Sequence, residues 1–432
     1  MTQPPLVKGM PLFGNALNMI SDPLAYLVDA YHEYGTVFRL RVLGREAIVL
    51  AGLEANRLLM SMGGDLAKGG IYTGFSDELG QDAHFSSVDG EEHLKLRRAV
   101  RPGYSKRRYQ CHIPQLMNLI RLRTSQWQDG NIIPVVATME QIIGELLGTL
   151  MTHHPVGDHF DDFRTVIKML HYVYPMRVMP KFMLKTPKYK NSKQRMFDFA
   201  ESIIAHHQQT NPAQRGETLV DDLLTAYTRE ECPISHEQLI GQVFTPYFVG
   251  IDTVGATVSF LTYLILKHED VRQSVLTEIE SAYDSDVLNL DALPTLTSAI
   301  YETLRLYPIA PFLVRRAMTS FTFDGYEIPE GSELIIATGV THYLPEFFPE
   351  PHQFDVNRER DVPAGAFTTW GLGPHSCLGA GLAEMLMQVV IATLFSDWQL
   401  NFYPHDYEMK VSLAPLPNPG ESFKVGVHSI KS

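Results

Sequence analysis

One thiol sits in the segment Trp370-Gly371-Leu372-Gly373-Pro374-His375-Ser376-Cys377-Leu378-Gly379, a glycine-rich loop feeding an apolar helix expected from about Leu382 to Phe395. A cysteine just ahead of a helix N-terminus lies where the helix dipole favours thiolate over thiol. Glycines let the backbone approach a large flat group, and His375 can meet an anion two residues before the sulfur. A thiolate so placed is what a haem iron takes as its axial ligand. The bland alternative is a buried, inert cysteine beside a turn, since unpaired cysteine is among the most buried residue types.

A second place with chemical potential is Phe248-Val249-Gly250-Ile251-Asp252-Thr253-Val254. It falls inside a helical pattern that opens on Ser235 and Gln238, spaced as a capping box. The pattern runs for roughly 30 residues, about 45 Å of helix. Pro246 and Gly250 lie one turn apart within it, and each weakens regular helical hydrogen bonding. A loosened turn there leaves room for a small molecule and a water. Thr253 offers a hydroxyl to hold that water, and Asp252 an acid to relay protons. The competing reading has Thr253 bonding back to the Val249 carbonyl and Asp252 solvated.

The elements that must position these groups are mostly helical. Apolar periodicity predicts helices over roughly 110–127, 136–152, 193–208, 236–268 and 296–306. Alternation in Thr36 to Val42 and in Ala47 to Leu50, split by Gly44-Arg45, predicts a β-hairpin. A second hairpin is expected from Phe321-Thr322-Phe323 through the Asp324-Gly325 turn to a strand around Leu334 to Ala337. The expected class is mainly α with small β-sheets, an α+β arrangement. No internal repeat or linker divides the chain, so residues 1–432 are expected to form a single domain.

With 45% hydrophobic residues the chain can bury a large core and an apolar pocket. Cys111, Cys232 and Cys377 are too scattered for a disulfide framework or a zinc site, which indicates a reducing compartment. The N-terminus carries no apolar signal region, and no uninterrupted apolar run reads as long enough for a bilayer. A formal net charge of −13 argues against a nucleic-acid binder. The expected localisation is cytoplasmic.

The cysteine loop resembles that of cytochrome P450 enzymes, F-x-x-G-x-(H/R)-x-C-x-G, departing only at Trp370. The helix segment at 248–254 is similar to the family's oxygen-binding groove, with Val249 bulkier than usual and Val254 lacking a second hydroxyl. The resemblance implies a helix-rich triangular prism around a buried haem b, Cys377 as its iron ligand, and dioxygen as co-substrate. It assigns Asp252, Thr253 and Gly250 to the catalytic groove. His375, His93, Arg97 and Arg315 become propionate contacts, with Trp370, Gly371 and Gly379 completing the cofactor loop. Glu302 and Arg305 match the family's E-x-x-R, and Arg358 the arginine that joins them, implying a buried ion cluster of three. Trp370 is expected to pack against the loop and tune the sulfur through its N–H.

By the same resemblance Ile71, Tyr72, Phe75, Phe248, Val249, Pro311, Phe312 and Leu416 line a substrate pocket for a lipophilic compound. The stretch Met169 to Phe197, with Tyr172, Tyr174, Phe182 and Tyr189 among lysines, becomes a lid capable of transient membrane contact without a transmembrane anchor. No flavin or ferredoxin segment follows Cys377, so electrons are expected from a separate ferredoxin or flavodoxin with its NAD(P)H-dependent reductase. The basic run Lys95, Arg97, Arg98, Arg101, Lys106, Arg107, Arg108 offers a docking surface for it, or a merely solvated face. The expected activity is monooxygenation. Two other readings stay open: a peroxide-driven, isomerase or dehydratase haem-thiolate enzyme, and a non-enzymatic haem or gas-binding protein.

Overall fold

The first hairpin forms as the alternation predicts, but its turn is Leu43-Gly44, with φ of 49° and 80°, one residue before the expected Gly44-Arg45, because Arg45 already pairs in the second strand. Strands Val37–Val42 and Arg45–Ala51 pair antiparallel, with Val42 opposite Arg45 and Val37 opposite Leu50. The computed structural model of the protein describes residues 3–430 except 63–65, 68–72, 81–87, 175, 177, 211–217, 229–233 and 285–286. Ile71, Tyr72 and Cys232 lie outside the described residues. The chain forms two interleaved compact units: residues 1–73, 86–91 and 304–377, and residues 74–85, 92–303 and 378–432.

The first unit is built on a five-stranded sheet. Its order is Val37–Val42, Arg45–Ala51, Glu333–Ala337, Leu313–Ala317 and Leu66–Ala67. Leu334–Ala337 runs parallel to Ile48–Ala51 and antiparallel to Leu313–Arg316. Alternate side chains bury on opposite faces. Phe38, Leu40, Val49 and Ala337 share one core cluster with Leu27, while Val37, Leu50, Leu334 and Ile336 share another with Leu59. The second hairpin is shorter than expected. Asp324 and Gly325 do make its turn, at φ of 46° and 79°, but Phe321–Phe323 pairs with Tyr326–Ile328. The strand at Leu334 joins the large sheet, because its four consecutive buried residues need cover on both faces.

The second unit is helical. Helices Ile113–Thr124, Val135–Thr152, Pro187–Gln209 and His236–Lys267 occupy the predicted places, and Ala380–Asp397 follows the cysteine loop. Helices Phe160–Val173, Leu219–Tyr227 and Glu269–Ala282 were not foreseen. A three-stranded sheet of Trp398–Tyr403, Lys424–Ser429 and Ile132–Pro134 completes it. Contrary to expectation, two helical stretches, His236–Lys267 and Gly373–Asp397, are long and apolar enough to cross a membrane. Their apolar windows are 89% and 72% buried within the protein, the condition of core helices.

Candidate functional site

In the first unit the cysteine loop is shaped by its own backbone. Cys377 N–H donates to the Trp370 carbonyl at 2.7 Å, Gly371 N–H to Thr368 at 2.9 Å and Ser376 N–H to Gly373 at 3.0 Å. Gly371 and Gly373 hold φ of 70° and 68°, conformations that suit glycine. A Cβ on Gly373 would stand 2.7 Å from the Leu59 carbonyl oxygen, so the loop lies flat on its neighbour only because the side chain is missing. Cys377 is exposed. Three residues on, the Ala380–Asp397 helix begins with Gly379 as its N-cap.

Behind the loop lies a buried polar network that sequence reasoning only half anticipated. Arg305, fully buried, donates to the carbonyls of His342 (2.9 Å), Pro351 (2.6 Å) and Gln353 (3.0 Å). Arg358, half-buried, donates to Pro349 (2.5 Å) and to the same Gln353 carbonyl (3.2 Å). The two arginines of the expected ion cluster thus meet on main-chain oxygens. Glu302 is 5% exposed, one turn before Arg305 on the Pro294–Leu306 helix. His342 was missed. Its Nδ1 lies 3.2 Å from the Arg305 carbonyl, and its Nε2 accepts the Thr368 N–H at 3.0 Å. Complete burial, and then the Arg305 cation, push its pKa down to about 3, so it stays neutral and bridges arginine to loop. Nothing local in the sequence marks His342.

The cations expected at propionates are placed as follows. His93 (1% exposed) and half-buried Arg97 stand on the Gly90–Val100 helix, and Arg315 (2% exposed) on the Leu313–Ala317 strand. His375 puts Nε2 3.0 Å from the Asp89 carboxylate, a partner not foreseen. The basic run is only partly available. Arg108 makes a bidentate pair with Asp222 and Lys106 lies 3.4 Å from Glu384, which leaves Arg98, Arg101 and Arg107 exposed.

In the second unit the capping box is real: Ser235 and Gln238 exchange bonds of 2.9 and 3.1 Å. The helix they start is unbroken from His236 to Lys267, Pro246 and Gly250 included. Gly250 has a packing reason, since a Cβ there would meet Leu147 Cδ1 at 2.4 Å. Thr253 Oγ1 donates to the Val249 carbonyl at 2.6 Å, the local bond of the competing reading. Asp252 is not solvated, however, but 5% exposed. From Leu239 to Leu266 every residue is buried except Val249 and Thr253, four apart on one helical face.

Of the other pocket candidates, Phe248 is 4% exposed with its ring 6.1 Å from Phe244. Pro311 is buried and its carbonyl accepts Gly339 N–H. Phe312 packs on the sheet core beside Phe38 and Leu40, and Phe75 lies in the Thr73–Glu78 helix. Leu416 lines a cavity of about 240 Å³ with Asp252, Glu140, Arg164 and Lys168. Burial raises the Asp252 carboxyl to about 6 against the pull of Lys168 and Arg164. Glu140 is raised to about 7, by burial and then by the Asp252 charge. Sequence reasoning passed over Glu140. Its signal was a carboxylate among Val136, Met139 and Ile143, on the apolar face of its helix.

Each unit presents groups that suit a haem. The first offers an exposed thiol in a glycine loop and the buried guanidinium of Arg315, and the second an uncovered valine and threonine on a helix otherwise buried. Comparison with known proteins points the same way. The family model for cytochrome P450 matches residues 4–424. The chain is 24% identical over 418 residues to cyclooctat-9-en-7-ol 5-monooxygenase of Streptomyces melanosporofaciens, covering 91% of this chain and 89% of that one. It is 22% identical over 432 residues to pentalenene oxygenase of Streptomyces avermitilis, covering 95% and 94%. The retinoic acid-bound cyanobacterial CYP120A1 superposes with a TM-score of 0.86 over 100% of both chains at 23% identity. A family match over almost the entire length, on a fold that sets this thiol loop before an apolar helix, makes the chain a member of the cytochrome P450 family.

Proposed function

We propose that this P450 monooxygenase binds haem b through Cys377 and inserts one atom of dioxygen into a lipophilic substrate, with electrons from a separate ferredoxin or flavodoxin served by an NAD(P)H-dependent reductase. The observation that carries this reading is the exposed Cys377 thiol in a loop pinned from Thr368 to Ser376 by its own main chain. The haem, when bound, supplies dioxygen activation and oxygen-atom transfer. The protein's own residues do the rest. Arg305, Arg358 and His342 hold the carbonyls behind the loop. His93, Arg97, Arg315 and His375 would hold the haem's propionates, at ~1.5–3 kcal/mol for each bond to a charged group. Thr253 exchanges its Val249 bond for one to a water and passes on protons held by Asp252.

Val249 and Thr253 offer the substrate an open apolar face, and relatives whose names carry cyclooctat-9-en-7-ol, pentalenene and retinoic acid support a carbon-rich substrate. Work in the cytoplasm fits the acidic surface and the absence of a cysteine framework. The test is the reduced, carbon monoxide-bound spectrum of the purified protein and of Cys377→Ser. A thiolate-type band present in the first and lost in the second is expected; identical spectra would refute the assignment. Turnover with peroxide but not with a reductant and redox partner would favour the peroxide-driven alternative.

A further inference from the structure

Asp252 leads away from the open helix face into the second unit, and what it meets there is a graded polar cavity. At its mouth Glu421 is exposed, Arg164 and Lys168 are half-buried, and at its floor Glu140 and Asp252 are each 5% exposed. The floor is built by close helix crossing. A Cβ on Gly255 would stand 2.9 Å from Glu140 Cα, and one on Gly148 would stand 2.8 Å from Tyr247 Cε1 of the crossing helix. The Val135–Thr152 and His236–Lys267 helices therefore touch backbone to backbone, which drives Glu140 in beside the turn bearing Asp252. Asp252 Oδ1 is buried without a hydrogen-bond partner among the described residues, and the same is true of Glu140 Oε2, whose charge contact is Arg164 Nε at 3.1 Å. Two buried carboxyls line one cavity, Asp252 Oδ1 without a hydrogen-bond partner among the described residues and Glu140 Oε2 with only the Arg164 charge, and such a pair calls for protons and water.

We propose that Glu140 is the residue through which Asp252 exchanges protons with solvent. The inference rests on the reading of Asp252 and Thr253 as the acid and hydroxyl of the relay. In each cycle the Glu140 O–H bond breaks as an Asp252 O–H bond forms, and Glu140 recovers a proton from cavity water. The electrons come from the redox partner and the oxidant is dioxygen. Glu140 acts through Asp252 and is a positioning residue. The groups facing it are Asp252 from the long helix, Arg164, Lys168 and Tyr172 from the Phe160–Val173 helix, and Glu421 from the C-terminal loop. Arg164 and Lys168 limit how far both carboxyls rise. The order of titration follows: Asp252 ionises near 6, and its charge keeps Glu140 protonated until about 7.

The experiment is infrared titration of the holoenzyme from pH 5 to 9, paired with the pH profile of coupled turnover. It compares the native protein with Glu140→Gln, Glu140→Asp and Asp252→Asn. Expected are a protonated-carboxyl band that fades near pH 7 and is missing in Glu140→Gln, and turnover that declines over the same range. Glu140→Gln should lose about tenfold in coupled turnover, less than the roughly 10²–10⁴-fold of a direct acid–base group because Glu140 acts one step removed, with electrons diverted to peroxide. Its profile should be flat near pH 7, and Glu140→Asp should restore the slope, which a packing role would not. A band that vanishes in Glu140→Gln while the pH profile and coupling stay native would overturn the proposal, as would an unaltered band. If Asp252→Asn also leaves coupling native, the relay reading itself fails and takes this inference with it.

Discussion

Two side chains that are neighbours in sequence, Asp252 and Thr253, face opposite fates. Successive residues on a helix point about 100° apart, so one enters the protein and the other stays on the open face. Thr253→Ala removes the donor now bonded to Val249, and we expect product per electron to fall by roughly 10²-fold while peroxide rises. Haem content should not change. An oxygen-electrode assay with peroxide quantification reads both. Glu140 supports a separate stability prediction. Its folded pKa of about 7 exceeds the 4.5 of an ordinary glutamate, so the folded state binds the extra proton. There is no penalty below pH 4.5, a growing one between 4.5 and 7, and a full one above. Glu140→Gln removes it. The melting temperature of the variant should therefore gain on the native protein as pH rises from 4.5 to 7, and melting curves across that range check this.

At the level of elements, the glycines of the helix crossing carry more consequence than the proline. Pro246 supplies no N–H to the turn before it, yet the helix runs through, because its neighbours are buried on nearly every side. Gly148→Ala would instead press a methyl to 2.2 Å from a main-chain oxygen that cannot retreat. We expect a loss of about 1–3 kcal/mol, seen in chemical denaturation, as for other overpacked cores. Ser235→Ala breaks one half of the capping box and should cost about 1 kcal/mol. The capping box was readable from two residues, and the first hairpin to within one residue of its turn, since both depend on contacts within a few positions. The pairing of Glu333–Ala337 was not, because its partners at Ile48 and Leu313 are chosen by a sheet assembled from distant segments.

For the whole molecule, charge reads differently once ion pairs are known. Seven basic residues in a short run look alike in sequence, but Arg108 is bound to Asp222 and Lys106 faces Glu384. Charge reversal at exposed Arg107 should slow reduction by an acidic redox partner, an effect that fades with added salt, as stopped-flow kinetics would show. Arg108→Glu should chiefly destabilise the protein, since a partly buried carboxylate loses its bidentate partner. Arg305 sets the same contrast inside the first unit. Arg305→Leu strands three carbonyls and should cost about 3 kcal/mol or more, with haem lost on purification.

Several helix positions, the first hairpin, the class of the fold and the thiol loop with its glycines followed from local spacing alone, because periodicity, turn chemistry and a short motif are carried by residues near one another. The family followed from the order of such motifs along the chain. Tertiary structure alone decided that Gly250 serves packing, that His375 meets Asp89, that Phe312 belongs to the sheet core, and that Glu140 is sunk beside Asp252. Each depends on segments brought together from afar. A side chain's burial and the charge next to it exist only after that assembly, and those two quantities set how a carboxyl or an imidazole holds its proton.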